Sequence, residues 1–312
     1  MTDNLDSRVS AFTREHHGLL NGSYLRSIEA SKHEVATRLE THRWELVHEG
    51  VYRLAGAPLT WRGGILAACW AGGMRAVASH RSAASLWELP GATEQIAEIT
   101  CPRWRRARHG GLVVHESKAL DAVDCRMVDN IPVTSPELTL LMLGSVCSPL
   151  TVEMALDRAL LHGLVTRSSV EAILRRLGRR GRNGVAALRD AVDARDPGQA
   201  IPESPMETRL LRLLRELGFP PPVPQYEVRY YGKLVGRLDA AYPEQHIGIE
   251  FQSYAYHLGR AALDRDNARR RKFKEVRWDV IEVTPEDLRN RGLKLASALH
   301  AAFVRSGVSK SA

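Results

Sequence analysis

The chain predicts a multidomain protein of mixed class, α+β and α/β together, and three observations carry that expectation. It has 312 residues, long enough for two or three separate cores. Its hydrophobic content of 44% is ordinary for folded protein. Helix-spaced and strand-spaced apolar patterns alternate along it, and DARDPGQAIPESP (193–205), with three prolines among charges and a glycine, interrupts two helical regions. A softer break falls at AGAPL (55–59). The expected organisation is therefore 1–58, 59–192, a linker at 193–205, and a last domain over 206–312.

From the N-terminus, Ser23 to Ala30 reads as a short helix. SKHEVATRLETHR (31–43) follows, with Ser31 and Glu34 in capping-box spacing and Val35, Ala36 and Leu39 on one face. Lys32, His33, Arg38, His42 and Arg43 fall on the other. WELVHEGVYRLAG (44–56) has strand-like residues on both sides of Glu49-Gly50 and reads as a hairpin. Helix, helix, basic helix, hairpin is the order of a winged helix, whose basic helix enters a DNA major groove. A small helical bundle with a β-ribbon for protein contact satisfies the same pattern. Lys32, His33, Arg38 and Arg43 are the candidate nucleic-acid contacts.

Net charge of +8 and a pI near 9.5 point to an anionic partner, with double-stranded DNA the first candidate. The N-terminus lacks the apolar core of a signal peptide, and the best apolar run, near Gly63 to Ser79, is broken by Arg75. A cytoplasmic protein with no membrane partner is expected. Cys69, Cys101, Cys125 and Cys147 lie far apart, which indicates neither a zinc ribbon nor a disulfide framework. RRLGRRGRNG (175–184) puts five arginines in its first eight residues, as a solvated basic connector or as a phosphate clamp.

The last region opens with ESPMETRLLRLLRELGF (203–219), where Ser204 caps a helix, Pro205 takes its first position and Glu207 the capping-box position. Leu210, Leu211, Leu213, Leu214 and Leu217 form its apolar face. Glu207 either satisfies the helix N-terminus or stands near a metal. In GRLDAAYPEQHIGIEFQSYAYH (236–257), Ile247, Ile249 and Phe251 alternate with Gly248, Glu250 and Gln252, as in a half-buried strand. Pairing Tyr242 with Ile247 leaves a four-residue loop and sets Asp239 opposite Glu250. Opposed Cβ atoms lie roughly 4.5 to 5.5 Å apart and like charges there repel, so a positive group is expected between them. Two such acids suit Mg²⁺, which takes one or two carboxylates plus waters and phosphate oxygens. Downstream, Arg260 to Arg277 holds eight Lys or Arg and three acids, Asp264, Asp266 and Glu275, either as a solvated face or as a phosphate-holding one.

Two resemblances add to this reading. HRWELVHEGVYRLAG (42–56), ASHRSAASLWELPG (78–91) and IPVTSPELTLLML (131–143) resemble the AbiEi-type antitoxin and transcriptional regulator family over roughly residues 8–145. That resemblance implies a winged helix on operator DNA, a middle α/β and helical region tied to antitoxin function, and a nucleotidyltransferase-like toxin as partner. His80 and Arg81 are expected to be structural.

Residues 201 to about 292 resemble the very-short-patch-repair-like endonucleases of the PD-(D/E)XK superfamily, with a helix bearing Glu, a strand bearing Asp, a strand bearing Glu, a histidine, a basic helix and a strand in that order. This implies a C-terminal restriction-endonuclease-like α/β domain with Mg²⁺ or Mn²⁺ held by Asp239 and Glu250. Glu207 would match the helical glutamate, His257 the histidine that moves a proton, and Asp266 with Arg269 or Arg270 the acid and arginine of the next helix. Arg269, Arg270 and Lys272 would contact phosphate. Gln252 departs from the pattern, standing where a classical member has lysine. Its amide cannot act as a base and can at most orient a water, although some superfamily members use E-x-Q. The implied activity is a metal-dependent DNA endonuclease in defence or repair. A regulator or antitoxin whose nuclease-like domain no longer cuts is the reading from another class.

Overall fold

The computed structural model describes residues 5–93, 96–104, 111–118, 120–179, 182–195, 198, 200–251 and 260–307, with backbone alone over 260–267. The chain is a mixed α/β protein of two compact units, Met1–Ala155 with Leu164–Asp190, and Leu156–Gly163 with Ala191–Ala312.

The first unit begins with α1 (Leu5–Glu15), β1 (Leu19–Asn21), α2 (Gly22–Ser27), α3 (Lys32–Glu40), β2 (Trp44–His48) and β3 (Val51–Leu54). The strands form an antiparallel sheet of order β1-β3-β2. Leu5, Val9, Leu20, Leu25 and Trp44 make its core, with Val35 and Leu39 of α3 packed against it. The capping box is present: Ser31 N donates to Glu34 Oε2 at 2.8 Å and Glu34 N donates to Ser31 Oγ at 3.2 Å. Ala36 is exposed, so the packed face of α3 is narrower than its pattern suggests.

The unit continues through α4 (Trp61–Gly72), β4 (Val77–Ala78), α5 (His80–Leu86), β5 (Ala97–Cys101), β6 (Leu112–Glu116), β7 (Cys125–Val128), β8 (Ile131–Thr134) and α6 (Pro136–Leu143). Its five strands run β6-β5-β4-β8-β7, with β5–β6 and β4–β8 parallel. Buried Ile65, Leu66 and Cys69 of α4 pack with Ile99, Ile131 and Val133 of the sheet. The four cysteines are free thiols. Three helices follow, α7 (Pro149–Leu161), α8 (Arg167–Leu177) and α9 (Val185–Asp193), and the unit boundaries fall inside α7 and α9.

The second unit contains α10 (Pro205–Glu216), β9 (Val223–Tyr230), β10 (Lys233–Tyr242), β11 (Ile247–Phe251), α11 (Arg260–Glu275), β12 (Asp279–Val283), α12 (Pro285–Arg289) and α13 (Leu293–Arg305). Its sheet runs β12-β11-β10-β9, antiparallel except for the β11–β12 pair. Tyr242 pairs with Ile247, the register expected from a four-residue loop. Ile247, Ile249 and Val283 pack with Leu210 and Leu214 of α10 and Leu295 and Leu299 of α13. Val228, Leu238, Phe273 and Trp278 form a second core.

That second core corrects the picture of a half-buried strand. β11 is an inner strand, and α11 is the crossover that its parallel pairing with β12 requires. Gly248 is buried, and a Cβ there would lie 2.6 Å from Leu238 Cδ1. A Cβ on Gly236 would meet Phe273 Cζ at 2.7 Å. The two glycines thus permit the close approach of these side chains. Among the described residues, no helix is long and apolar enough to cross a membrane.

Candidate active site

The acids of β10 and β11 come together at the edge of regular pairing. The β10–β11 ladder is regular as far as Ala240–Ile249. At the next step the Asp239 side chain intervenes, its Oδ2 accepting from Phe251 N at 2.7 Å. On β9, Gln225 occupies the place across from Asp239 and has φ 50°, a left-handed conformation that is unusual for a non-glycine residue.

A positive group from α11 meets Glu250, one of the two acids. Arg269 Nη2 lies 2.7 Å from Glu250 Oε1 and also donates to Arg237 O at 2.6 Å. The guanidinium carbon lies 5.9 Å from the centre of the Phe273 ring. Asp239, Glu250, Arg237, Phe251, Arg269 and Lys272 line one open concavity of about 620 Å³. Parallel pairing adds an acid that the sequence reading passed over, because Glu282 of β12 aligns with Glu250 and forms an ion pair with Arg270. Its signal was local strand propensity alone, and the pairing that makes it relevant is not local.

Glu207 is 7% exposed and serves the start of α10. Its carboxylate accepts from Glu203 N at 2.9 Å, Ser204 Oγ at 2.8 Å and Gln225 Nε2 at 2.6 Å. Through Gln225 it reaches the strand position across from Asp239, but it does not line the concavity. Gln252 and His257 lie outside the described residues, as does the side chain of Asp266.

On the DNA-binding candidate, Lys32, His33 and Arg43 are exposed. Arg38 differs from its expected place on that open face. Its side chain is 12% exposed, pairs with Asp6 at 2.9 Å and lies 5.5 Å from the Trp44 ring centre, because packing α3 against α1 and β2 turns it inward. Arg43 Nη1 shares the same carboxylate group at 3.3 Å.

The oxygen donors of Asp239 and Glu250 suit a hard divalent ion such as Mg²⁺ or Mn²⁺. Arg269 competes for Glu250, so ion binding there requires the guanidinium to move.

A second constellation stands in the first unit, on His80, which the sequence reading took as structural, and on two residues that it did not single out. His80, Glu98 and His115 place one potential ligand atom each within 4.8 Å of the others. The two imidazoles stack at 3.6 Å between centroids. Burial holds His80 in its neutral form, its pKa lowered to about 3, and burial lowers His115 as well. Arg81 Nη1 donates to Glu98 Oε1 at 2.7 Å and Arg81 N to Oε2 at 3.1 Å. SHRSAA signals the start of α5, but β5 and β6 supply the other two residues, and nothing in one short motif announces them.

No family model matches the chain. It is similar to two proteins of Mycobacterium tuberculosis, one from strain CDC 1551 / Oshkosh and one from strain ATCC 25618 / H37Rv, each an uncharacterized protein. Each is 28% identical over 229 residues, covering 73% of this chain and 81% of the relative.

Proposed function

We propose that the protein binds duplex DNA through its N-terminal winged-helix-like region and carries a Mg²⁺- or Mn²⁺-dependent phosphodiesterase site in its second unit. The observation that carries this reading is the shared concavity of Asp239 and Glu250, two oxygen-donor acids, with the cations Arg237, Arg269 and Lys272. The element order around it, helix with Glu207, strand with Asp239, strand with Glu250, basic helix, strand, supports the resemblance to very-short-patch-repair-like endonucleases.

Asp239 and Glu250 would hold the divalent ion, with Phe251 N fixing the Asp239 carboxylate by its 2.7 Å bond. When bound, that ion supplies a Lewis acid that lowers the pKa of a water and offsets phosphate charge. Arg269, released from Glu250, would take a phosphate oxygen, and Lys272 a second one. Gln252 would orient the water by hydrogen bonding, and His257 would carry the proton to the leaving oxygen. Glu207 would keep Gln225, and with it the β9 position beside Asp239, in place.

A second reading has its own support. The Glu250–Arg269 pair already neutralises one acid, and Gln252 cannot be a base. Both favour a regulator or antitoxin whose nuclease-like domain binds DNA, or a nucleotidyltransferase-like toxin, without cutting. Conversion of supercoiled plasmid to nicked or linear form, with Mg²⁺ or Mn²⁺ against EDTA, separates the two. Metal-dependent conversion that Asp239→Ala abolishes supports the enzyme. Duplex binding without conversion, on plasmids of varied sequence and on mismatched substrates, supports the regulator.

A further inference from the structure

We propose that His80, Glu98 and His115 form a binding site for a transition-metal ion of the zinc class. The site stands on different residues from the proposed phosphodiesterase centre and does not depend on that reading.

The donor set is the first argument. Two imidazoles and one carboxylate, with potential ligand atoms within 4.8 Å of one another, suit zinc and its neighbours far better than Mg²⁺, which prefers oxygen. The donors come from α5, β5 and β6, so the fold and not a flexible loop brings them together.

The second argument is an unmet hydrogen bond. His115 Nε2 is buried with no partner among the described residues. It lies 3.9 Å from Glu98 Oε2, too far for a hydrogen bond. A buried polar atom without a protein partner calls for one from outside the chain, a water or an ion, or for a functional role. Because this nitrogen has no hydrogen bond to lose, the His115 ring can turn out of its stack toward an ion, whose ligand bonds for zinc are ~2.0–2.2 Å, without breaking one.

The surroundings are built to orient these ligands. His80 Nδ1 is 2.9 Å from Ser79 Oγ, which accepts from Thr100 Oγ1 at 2.8 Å, leaving Nε2 as the ring nitrogen for a metal. Glu98 is 3% exposed, its N donates to Ser82 Oγ at 2.7 Å, and Arg81 grips its carboxylate. An Arg81–Glu98 ion pair by itself explains neither the stacked histidines nor the orphaned nitrogen. His80 also adopts φ 50°, a conformation that costs energy and recurs at ligand sites.

The test is a titration of the full chain, stripped by chelator, with Co²⁺ as the coloured stand-in for Zn²⁺. The chain carries Asp239→Ala and Glu250→Ala so that the other acids do not report. The expected result is one Co²⁺ per chain, with visible absorption that Zn²⁺ displaces. His115→Phe keeps a ring to stack on His80 but removes the donor, and abolishes the signal. Arg81→Gln loosens Glu98 and weakens binding about 10-fold or more. Absence of saturable binding, or binding that survives in folded His115→Phe, overturns the site. If His115→Phe does not fold by circular dichroism, Glu98→Gln replaces it, and undiminished binding there overturns the site equally.

Discussion

At the scale of single residues, carboxylates of similar appearance in the sequence have different partners. Glu207 is a buried acceptor for three donors, so Glu207→Ala leaves them short of a partner and is expected to cost about 1–3 kcal/mol in urea unfolding. Unchanged stability would mean that water replaces it freely. Glu250 has a charged competitor instead. Arg269→Ala removes that cation from the carboxylate and is expected to tighten Mn²⁺ binding, measured by paramagnetic resonance, while weakening DNA binding at low salt. Looser Mn²⁺ binding in that variant would mean that Arg269 supports the acids and does not compete with the ion. The capping role of Glu207 could be read in advance, as one of two alternatives beside a place near a metal, because capping is local: Ser204, Pro205 and Glu207 lie within one turn. The choice of Arg269 as the cation at Glu250 could not, because α11 returns to β11 only through tertiary packing.

At the scale of elements, the caps and the hairpin were legible and the sheet edges were not. Ser31 with Glu34 fixed the start of α3, and Tyr242 with Ile247 fixed the β10–β11 register. The inward turn of Arg38 was hidden, since it depends on Asp6 in α1, far away in sequence. Substitution therefore separates two roles in α3. Lys32→Ala is expected to reduce the slope of log binding constant against log salt by about 0.9, the loss of one phosphate contact, and to leave stability intact. Arg38→Ala is expected to lower the melting temperature, and an unchanged melting temperature would deny the Asp6 and Trp44 contacts any structural value.

The start of α12 gives a pH-dependent case. Hydrogen bonds from the Thr284 hydroxyl and then its backbone N–H hold the Asp287 carboxyl below its ordinary pKa. A depressed carboxylate stabilises the fold above its unfolded pKa, and that contribution fades as pH falls through the folded value. Thr284→Val removes the hydroxyl cap, including its 3.2 Å bond to Asp287 N, and is expected to cost about 1 kcal/mol near neutrality. The difference from the parent should narrow in acid. A difference that is constant down to low pH would show that the carboxylate takes no part.

At the scale of the whole molecule, the mixed class and the multidomain character could be read from alternating patterns and the proline-rich break. The His80–Glu98–His115 cluster and the alignment of Glu282 with Glu250 could not, because sheet pairings between distant segments create them. The central claim is that Asp239 and Glu250 are arranged for a divalent cation, with the Arg269 guanidinium occupying Glu250 until the ion displaces it. Mn²⁺ binding by paramagnetic resonance tests it most directly, in chains carrying His115→Phe so that the second unit alone reports. The account predicts saturable binding that Asp239→Ala and Glu250→Ala each abolish. Equal binding in all three chains, or none in any, would contradict it and leave the concavity as a site closed by its own arginine.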